Sequence, residues 1–453
     1  MRNLALLLST PRALLRDHRQ RATLVAFAGA YAGAAGLQKL VGFVLFMWLA
    51  RSLSVQEYAG FGLAYALQTG VTTLALSGIV ESAVGLLKQN PSPSQQRALL
   101  AAANGAFLWL TVPAILLAVL CYVGLTPASS HDWFTIGTVV VSGVLLAFAS
   151  VQAQIVRLQE DHLASMLFNF VAPLSGFIAG GLAFLVGRTV TAFFAGMTVG
   201  LVAGVLGLRA TGIGFYERPT DAALTRRVLG GIGPFLGIAA LGWLSGYGNN
   251  YLVRLLFNST EVARFTFALM VSSLMQLIAS ALNQVWSPRF FRLVRELPHD
   301  DVEYRNRIFY RWQAVALGLA GGAVLALFRP AITAVGGQAT AYRSMGPELL
   351  CLIAAYVVLS PFWHCYNYYL VHGEGLEAMH LTTITSVIGI AAWLMLMWFV
   401  GPIGVYAGFL LQMLLRVIAV VWFARRRWSL SIAWDGVAAG LALTAAGFAL
   451  STL

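Results

Sequence analysis

The chain has 453 residues, of which 59% are hydrophobic and only 10% charged, with a net charge of +12. A soluble domain carries about 25% charged residues, so lipid rather than water must surround most of this chain. The basic excess raises the question of nucleic acid, but no basic stripe interleaved with aromatics forms a soluble module, which excludes that partner class.

Residues 1–22 form a basic segment, with Arg2, Arg12, Arg16, Arg19 and Arg21 set against Asp17. The first apolar run, 23–50, is too long for a signal-peptide core and reads as a retained helix. Runs long enough to cross a hydrocarbon core of about 30 Å follow, at 59–87, 98–123, 134–156, 163–186 and 190–208. A polar segment, 209–228, separates them from a second set at 229–253, 263–287, 312–334, 348–371, 380–400 and 402–424. That makes twelve spans, with 436–453 either a thirteenth crossing or a short tail helix.

Placing the N-terminus inside puts 21 Lys/Arg on inner segments and 6 on outer ones. The positive-inside rule therefore predicts a cytoplasmic N-terminus. The predicted fold is an all-α polytopic membrane protein of two six-helix bundles, 23–208 and 229–424. Residues 209–228 form the cytoplasmic linker, and 425–453 a basic turn with a C-terminal apolar helix.

An internal repeat supports the two halves. LARSLSVQEYAGF, from Leu49 to Phe61, aligns with LVRLLFNSTEVARF, from Leu252 to Phe265, when one extra residue is allowed in the second copy. Arg51 then pairs with Arg254, Glu57 with Glu261, Ala59 with Ala263, Phe61 with Phe265 and Ala64 with Ala268. Each copy reads as a helix ending in Arg, a short polar turn containing Glu, and a returning helix. Both halves also close on an outer hairpin bearing Val-Gly, at Val186–Gly187 and Val400–Gly401. An even number of spans per half gives a parallel repeat about an axis along the membrane normal, with a central cleft between the halves.

Charges inside spans mark candidate sites, because each costs a few kcal/mol unless it faces a cavity or a partner. Lys39 lies twelve residues before Arg51, about 18 Å deeper along a helix, and an ammonium there suits a phosphate. The alternative for Lys39 is a structural pair with a carboxylate. Arg51 and Arg254 stand at outer helix ends, where they either line a cleft or snorkel to headgroups. Asn250, one turn before Arg254, lies on the same face. Arg416 in the twelfth span either faces the cleft or reaches inner headgroups. Glu81 is the one carboxylate well within a predicted span, and is either an ion-coupling group or half of an interfacial salt bridge.

The tenth span carries Pro361, which is expected to kink it toward the cleft, and then HCYNYYLVH. There His364 and Asn367 are candidate sugar contacts, while Tyr369 and His372 suit an interfacial belt. Intramembrane amides at Gln38, Gln68, Asn104, Gln152, Asn169, Gln276, Asn283 and Gln412 are expected to bond between helices. Cys121, Cys351 and Cys365 show no metal spacing. No motif for metal hydrolysis, nucleotide binding or a serine nucleophile is present, so no cofactor and no enzymatic activity is expected.

LARSLSVQEYAGFGLAYAL resembles the first outer turn of the bacterial polysaccharide flippases. These form the O-antigen and exopolysaccharide branch of the multidrug/oligosaccharidyl-lipid/polysaccharide exporter superfamily. NNYLVRLLFNSTEVARFTFALMVSSLMQLIASALNQVWSPRF is similar to their helix 7–8 region, and WFVGPIGVYAGFLLQMLLR to their helix 11–12 hairpin. The likeness extends over residues 23–427. At Asn250 the chain departs from the acidic residue that the family often carries nearby.

The resemblance implies a flippase in the bacterial plasma (inner) membrane. Its cargo would be an undecaprenyl-pyrophosphate-linked oligosaccharide, attracted by Lys39, Arg51 and Arg254 in a cationic cavity. Its surroundings would be membrane lipids and, as partners, polysaccharide polymerase and chain-length machinery. The alternatives are a small-molecule exporter of the same superfamily and a polytopic polymerase or ligase. The first calls for cavity carboxylates, whereas the deep charge most clearly placed here is Lys39; the second calls for a large outer loop, whereas the outer segments are short.

Overall fold

In the computed structural model, residues 37–87, 92–127, 131–159, 161–214 and 217–452 are described. The basic segment 1–22, the start of the first span and Lys88 lie outside them. Among the described residues every regular element is helical.

The first half contains α1 (37–52), α2 (Val55–Leu76), α3 (Ile79–Leu87), α4 (Pro93–Leu125), α5 (Trp133–Leu158), α6 (His162–Gly187) and α7 (Val190–Ala210). Three pieces follow: α8 (Ala222–Gly230), α9 (Gly233–Leu244) and α10 (Asn249–Leu256). The remainder is α11 (Ser259–Glu296), α12 (His299–Val335), a 3-10 turn (Gly337–Tyr342), α13 (Gly346–Val358), α14 (Ser360–Val371), α15 (Gly375–Val400), α16 (Ile403–Trp428) and α17 (Trp434–Thr452). Eleven described helices, some of them joined pieces, are long and apolar enough to cross a membrane. The bent pair α8 and α9 brings the number to twelve, beside the described part of α1.

The repeated phrase turns out to be a helix start. Ser54 caps α2: its backbone N–H donates to Glu57 Oε2 at 2.8 Å, and its hydroxyl accepts from the Glu57 N–H at 3.3 Å. Asn258 caps α11 in the same way, its side-chain oxygen accepting from the Glu261 N–H at 3.1 Å. The two glutamates therefore sit in the first helical turn rather than in the connecting turn, and the Ser54, Asn258 and Glu57 side chains satisfy donors that every helix start leaves open.

The apolar partners repeat as well. Phe61 packs on Phe193 at 5.8 Å, the fourth residue of α7. Phe265 packs on Tyr406 at 5.8 Å, the fourth residue of α16. In each half the second span thus meets the start of the last.

Two spans and one loop differ from the sequence expectation. The stretch 59–87 is broken after Leu76, where Gly78 adopts φ 71°, a conformation open to glycine but strained for other residues. A β-carbon there would stand 2.6 Å from the Phe235 β-carbon, so the break lets α9 approach closely. The stretch 229–253 is three helices, and its first piece, α8, begins inside the segment expected to be a linker. The inner loop expected from Arg289 to Arg311 is helical except at Leu297–Pro298. No proline stands between Pro298 and Pro330, so nothing interrupts α12 there. The tenth span breaks between Val358 and Ser360, just before Pro361.

The stretch 436–452 belongs to α17, which lies parallel to α12. Gly440 meets the backbone of Ala314 and Gly318, and Gly447 meets Gly322. Small residues permit such approach where no hydrophobic drive acts between helices in lipid. A side chain at Gly440 has no space to enter. Gly440→Ile is expected to destabilise the α12–α17 pair by roughly 2 kcal/mol or more, read as a lowered melting temperature of the detergent-purified chain.

Candidate functional site

The two halves meet along α2. Gly62 touches Thr266 of α11 so closely that a β-carbon would overlap its hydroxyl. Asn250 bridges the same crossing: its amide N–H donates to the Gly62 carbonyl at 3.5 Å, and its oxygen accepts from Thr266 Oγ1 at 3.0 Å. Tyr251 donates to the Leu63 carbonyl at 3.2 Å, and Trp243 to the Ala66 carbonyl at 3.0 Å.

Aromatic rings complete the seam. Tyr58 lies 5.7 Å from Tyr342 and donates to Met270 Sδ at 3.6 Å. Phe267 stacks on Tyr342 at 4.3 Å, and Tyr65 meets Tyr247 at 4.8 Å. The contact runs from Tyr58 to Gly70, toward the end of α2 that the charge bias assigns outside. Asn250 is fully buried here and spends its hydrogen bonds on the seam.

Lys39 lies on α1, beside α2. It stands seven and eleven residues before Phe46 and Ala50, so the three share a helix face. Phe46 and Ala50 are buried, and the Phe46 ring packs on Phe61 and Tyr65 of α2 at 5.3 and 5.0 Å. Leu37, Leu40 and Val44 are exposed on other faces. Lys39 is therefore an exposed ammonium on the α2-facing side of α1, deeper than the last aromatic contact.

Arg416 comes from the second half. Its Nη2 donates to Ser386 Oγ at 3.0 Å, its Nε is buried without a partner, and it lies 6.0 Å from the Phe362 ring centroid. One turn before it, Gln412 donates to Ser245 Oγ at 2.7 Å, at the break between α9 and α10. That contact turns this face of α16 toward the broken span. Arg51 is exposed, with its backbone and Cγ against Gly337 of the second half. Arg254 donates only to the nearby Phe257 carbonyl, at 3.5 Å. Glu81 is exposed in the first turn of α3.

His364 and Asn367 are brought together, but inside a buried network. His364 Nε2 lies 3.1 Å from Glu303 Oε2, which also accepts from Tyr368 at 2.8 Å. Glu303 Oε1 accepts from the Ser431 N–H at 2.8 Å. Asn367 donates to Tyr310 Oη at 2.8 Å and accepts from Ser287 at 3.1 Å, while Tyr310 donates to Asn283 at 2.8 Å. His364 has no exposed surface.

Sequence reasoning missed Glu303 because it assigned the residue to a loop. Glu303 and Glu348 are also carboxylates in span-length helices and, unlike exposed Glu81, they are buried. The available signal was the spacing of Glu303, Asn306, Tyr310 and Gln313, a polar stripe at helical period. Several intramembrane amides do bond between helices, among them Gln68 to Ser142 at 2.7 Å and Gln152 to Asn104 at 2.9 Å. Glu348 pairs with Arg264 of α11.

Comparison with known proteins adds a family and a fold. Residues 25–294 match the family described as polysaccharide biosynthesis protein. None of the curated proteins matches the chain. Among solved structures, the lipid II flippase MurJ in an inward closed conformation superposes with a TM-score of 0.71 at 12% identity. That match covers 93% of this chain and 97% of MurJ. The inward-facing conformation of a multidrug resistance MATE family transporter of the MOP superfamily gives 0.69 at 15% identity, over 86% of this chain and 94% of that one. The corresponding outward-facing conformation gives 0.60 at 15%, over 89% and 95%.

Removing the Glu303 carboxylate leaves His364, Tyr368 and the Ser431 N–H facing a void. Glu303→Ala is expected to cost about 3 kcal/mol and Glu303→Gln less, in thermal unfolding of the purified chain. Equal melting of all three proteins would show that the network contributes nothing to stability.

Proposed function

The chain belongs to the polysaccharide biosynthesis protein family, and from that premise we propose that it is a flippase for a polyprenyl-pyrophosphate-linked oligosaccharide. The cargo passes from the inner to the outer leaflet of a bacterial plasma membrane by alternating access. The observation that carries this reading is a pair of cations, Lys39 and Arg416, contributed by the first and last of the twelve repeat spans. Lys39 lies about 18 Å along its helix from Arg51, and Arg416 about 20 Å from Ile403. Both helix ends are assigned to the outer face, so the two charges lie at similar depth. Among the described residues neither has a carboxylate partner. Cations left unpaired at such depth attract an anion, and a pyrophosphate supplies one.

In this reading residues 23–208 and 229–424 rock against each other, joined by 209–228, while 425–453 stays with the second half. The seam at Gly62 closes the outer side, and Arg51 and Arg254 form the outer rim. His364 and Asn367 hold the second half rigid rather than touch sugars. Glu81 is the proposed ion-coupling group. It stands just past the Gly78 break, on a helix whose Ser82 donates to the Val228 carbonyl of α8 at 2.7 Å. Relative motion of the halves reaches that junction. Glu303, by contrast, is enclosed by elements of one half alone.

Lys39→Ala and Arg416→Ala are each expected to cut flipping at least about tenfold, the loss of one charge-assisted contact. The readout is lipid-linked repeat units accumulating on the inner leaflet at unchanged protein level, with Lys39→Arg retaining activity. Normal surface polysaccharide in both alanine variants would remove the cation pair from the site. Intact polysaccharide with raised drug sensitivity on gene deletion would point instead to a small-molecule exporter.

A further inference from the structure

The helical hairpin of α11 and α12 is longer than a bilayer requires. Its helices have 38 and 37 residues, where about 20 suffice to cross the core. Arg289 lies thirty residues below the start of α11, and Arg305 thirty residues before the end of α12. Each interval is about 45 Å, the thickness of a bilayer with its headgroups. Both arginines therefore stand at the same headgroup level, on the face that the charge bias assigns to the cytoplasm.

Between them the hairpin forms a groove of about 310 Å³, lined by Trp286, Arg289, Leu293, Arg305, Phe309 and Trp312, with Ile308 at its edge. The register stacks these residues in layers. Leu293 is nearest the tip, the two arginines come next, then Trp286 and Phe309, which stack at 4.3 Å and 4°. Trp312 is deepest and 65% exposed. The Arg289 guanidinium lies 5.8 Å from the Trp286 ring centroid. The indole N–H of Trp286 is committed to Asn306 Oδ1 at 2.7 Å, and one face of its ring is covered by Phe309.

Among the described residues neither arginine has a carboxylate partner. Glu303, the nearest acidic residue along α12, is turned away toward His364, Tyr368 and Ser431.

We propose that this groove binds one acidic phospholipid of the inner leaflet, its phosphate between Arg289 and Arg305 and an acyl chain along Phe309 and Trp312. Two unpaired guanidinium groups at headgroup level complement a phosphate oxygen set, and the aromatic wall beneath them suits the glycerol and the first methylenes. The volume takes a phospholipid headgroup but not an oligosaccharide, and every lining residue belongs to one hairpin of one half. The site is therefore separate from the cation pair at Lys39 and Arg416, and does not depend on which cargo crosses.

The test uses the full chain, purified and delipidated in detergent, with bound lipids counted by native mass spectrometry. Phosphatidylglycerol and phosphatidylcholine of identical acyl chains are titrated separately. The expected result is one retained phosphatidylglycerol per chain, with phosphatidylcholine held more weakly. Arg289→Ala/Arg305→Ala is expected to weaken that lipid on the order of thirtyfold, whereas Arg292→Ala/Arg295→Ala, which removes the same charge from the same hairpin outside the groove, leaves it unchanged.

Equal binding of the two lipids, or equal loss in both double variants, would overturn the site in favour of diffuse surface charge. Should the groove variant fail to fold, Arg289→Gln and Arg305→Gln singly carry the same comparison. Because the readout is binding and not transport, the result stands apart from the flippase assignment.

Discussion

The crossing of α2 over α11 at Gly62 is the contact on which the arrangement of the two halves rests. In lipid no hydrophobic force drives helices together, so association depends on close backbone approach and on hydrogen bonds made across the contact. Gly62 supplies the first, because no larger residue leaves room for Thr266. Asn250 supplies the second, linking the Gly62 carbonyl to the Thr266 hydroxyl from a third helix. Tyr251 and Trp243 extend the polar links along α2, and Tyr58, Phe267 and Tyr342 fill the space around them. The seam runs from Tyr58 as far as Gly70, where the Trp243 ring lies, and Lys39 projects from the α2-facing side of α1.

This crossing explains what the internal repeat encodes. Arg51 and Arg254 aligned by sequence, yet one rests against Gly337 and the other reaches only Phe257. The durable part of the repeat is the cap, Ser54 with Glu57 and Asn258 with Glu261, followed by Phe61 and Phe265 on matching partners. Helix starts and apolar faces are local properties, so two copies of a phrase preserve them after side-chain contacts diverge. The fold was legible for that reason, down to the hairpins at Gly187 and Gly401.

The site was less legible. Hydropathy reports how apolar a stretch is but not whether it is straight, so the breaks at Gly78 and through residues 231–248 were read as continuous spans. It also assigns any charged stretch to a loop, which hid Glu303 inside α12. Asn250, His364 and Asn367 were recognised as polar groups in apolar surroundings, and such groups must find partners. Sequence could not tell whether those partners were protein or cargo. The structure provides protein partners for all three, at the seam and in the Glu303 network.

The same criterion separates the cations. Arg264 has Glu348, Arg311 has Asp435, and Arg427 has Glu374 and Glu377. These pairs neutralise charge where helices must stay packed. Among the described residues Lys39 and Arg416 have no such counter-charge, although desolvating a lone cation is among the costliest things a membrane protein does. Two cations without a carboxylate partner at mid-depth make a positive potential there. Such potential favours an anionic headgroup and repels cationic molecules of similar size. On the proposed reading, the distribution of carboxylates, more than the number of basic residues, is what would make this interior favour negative charge.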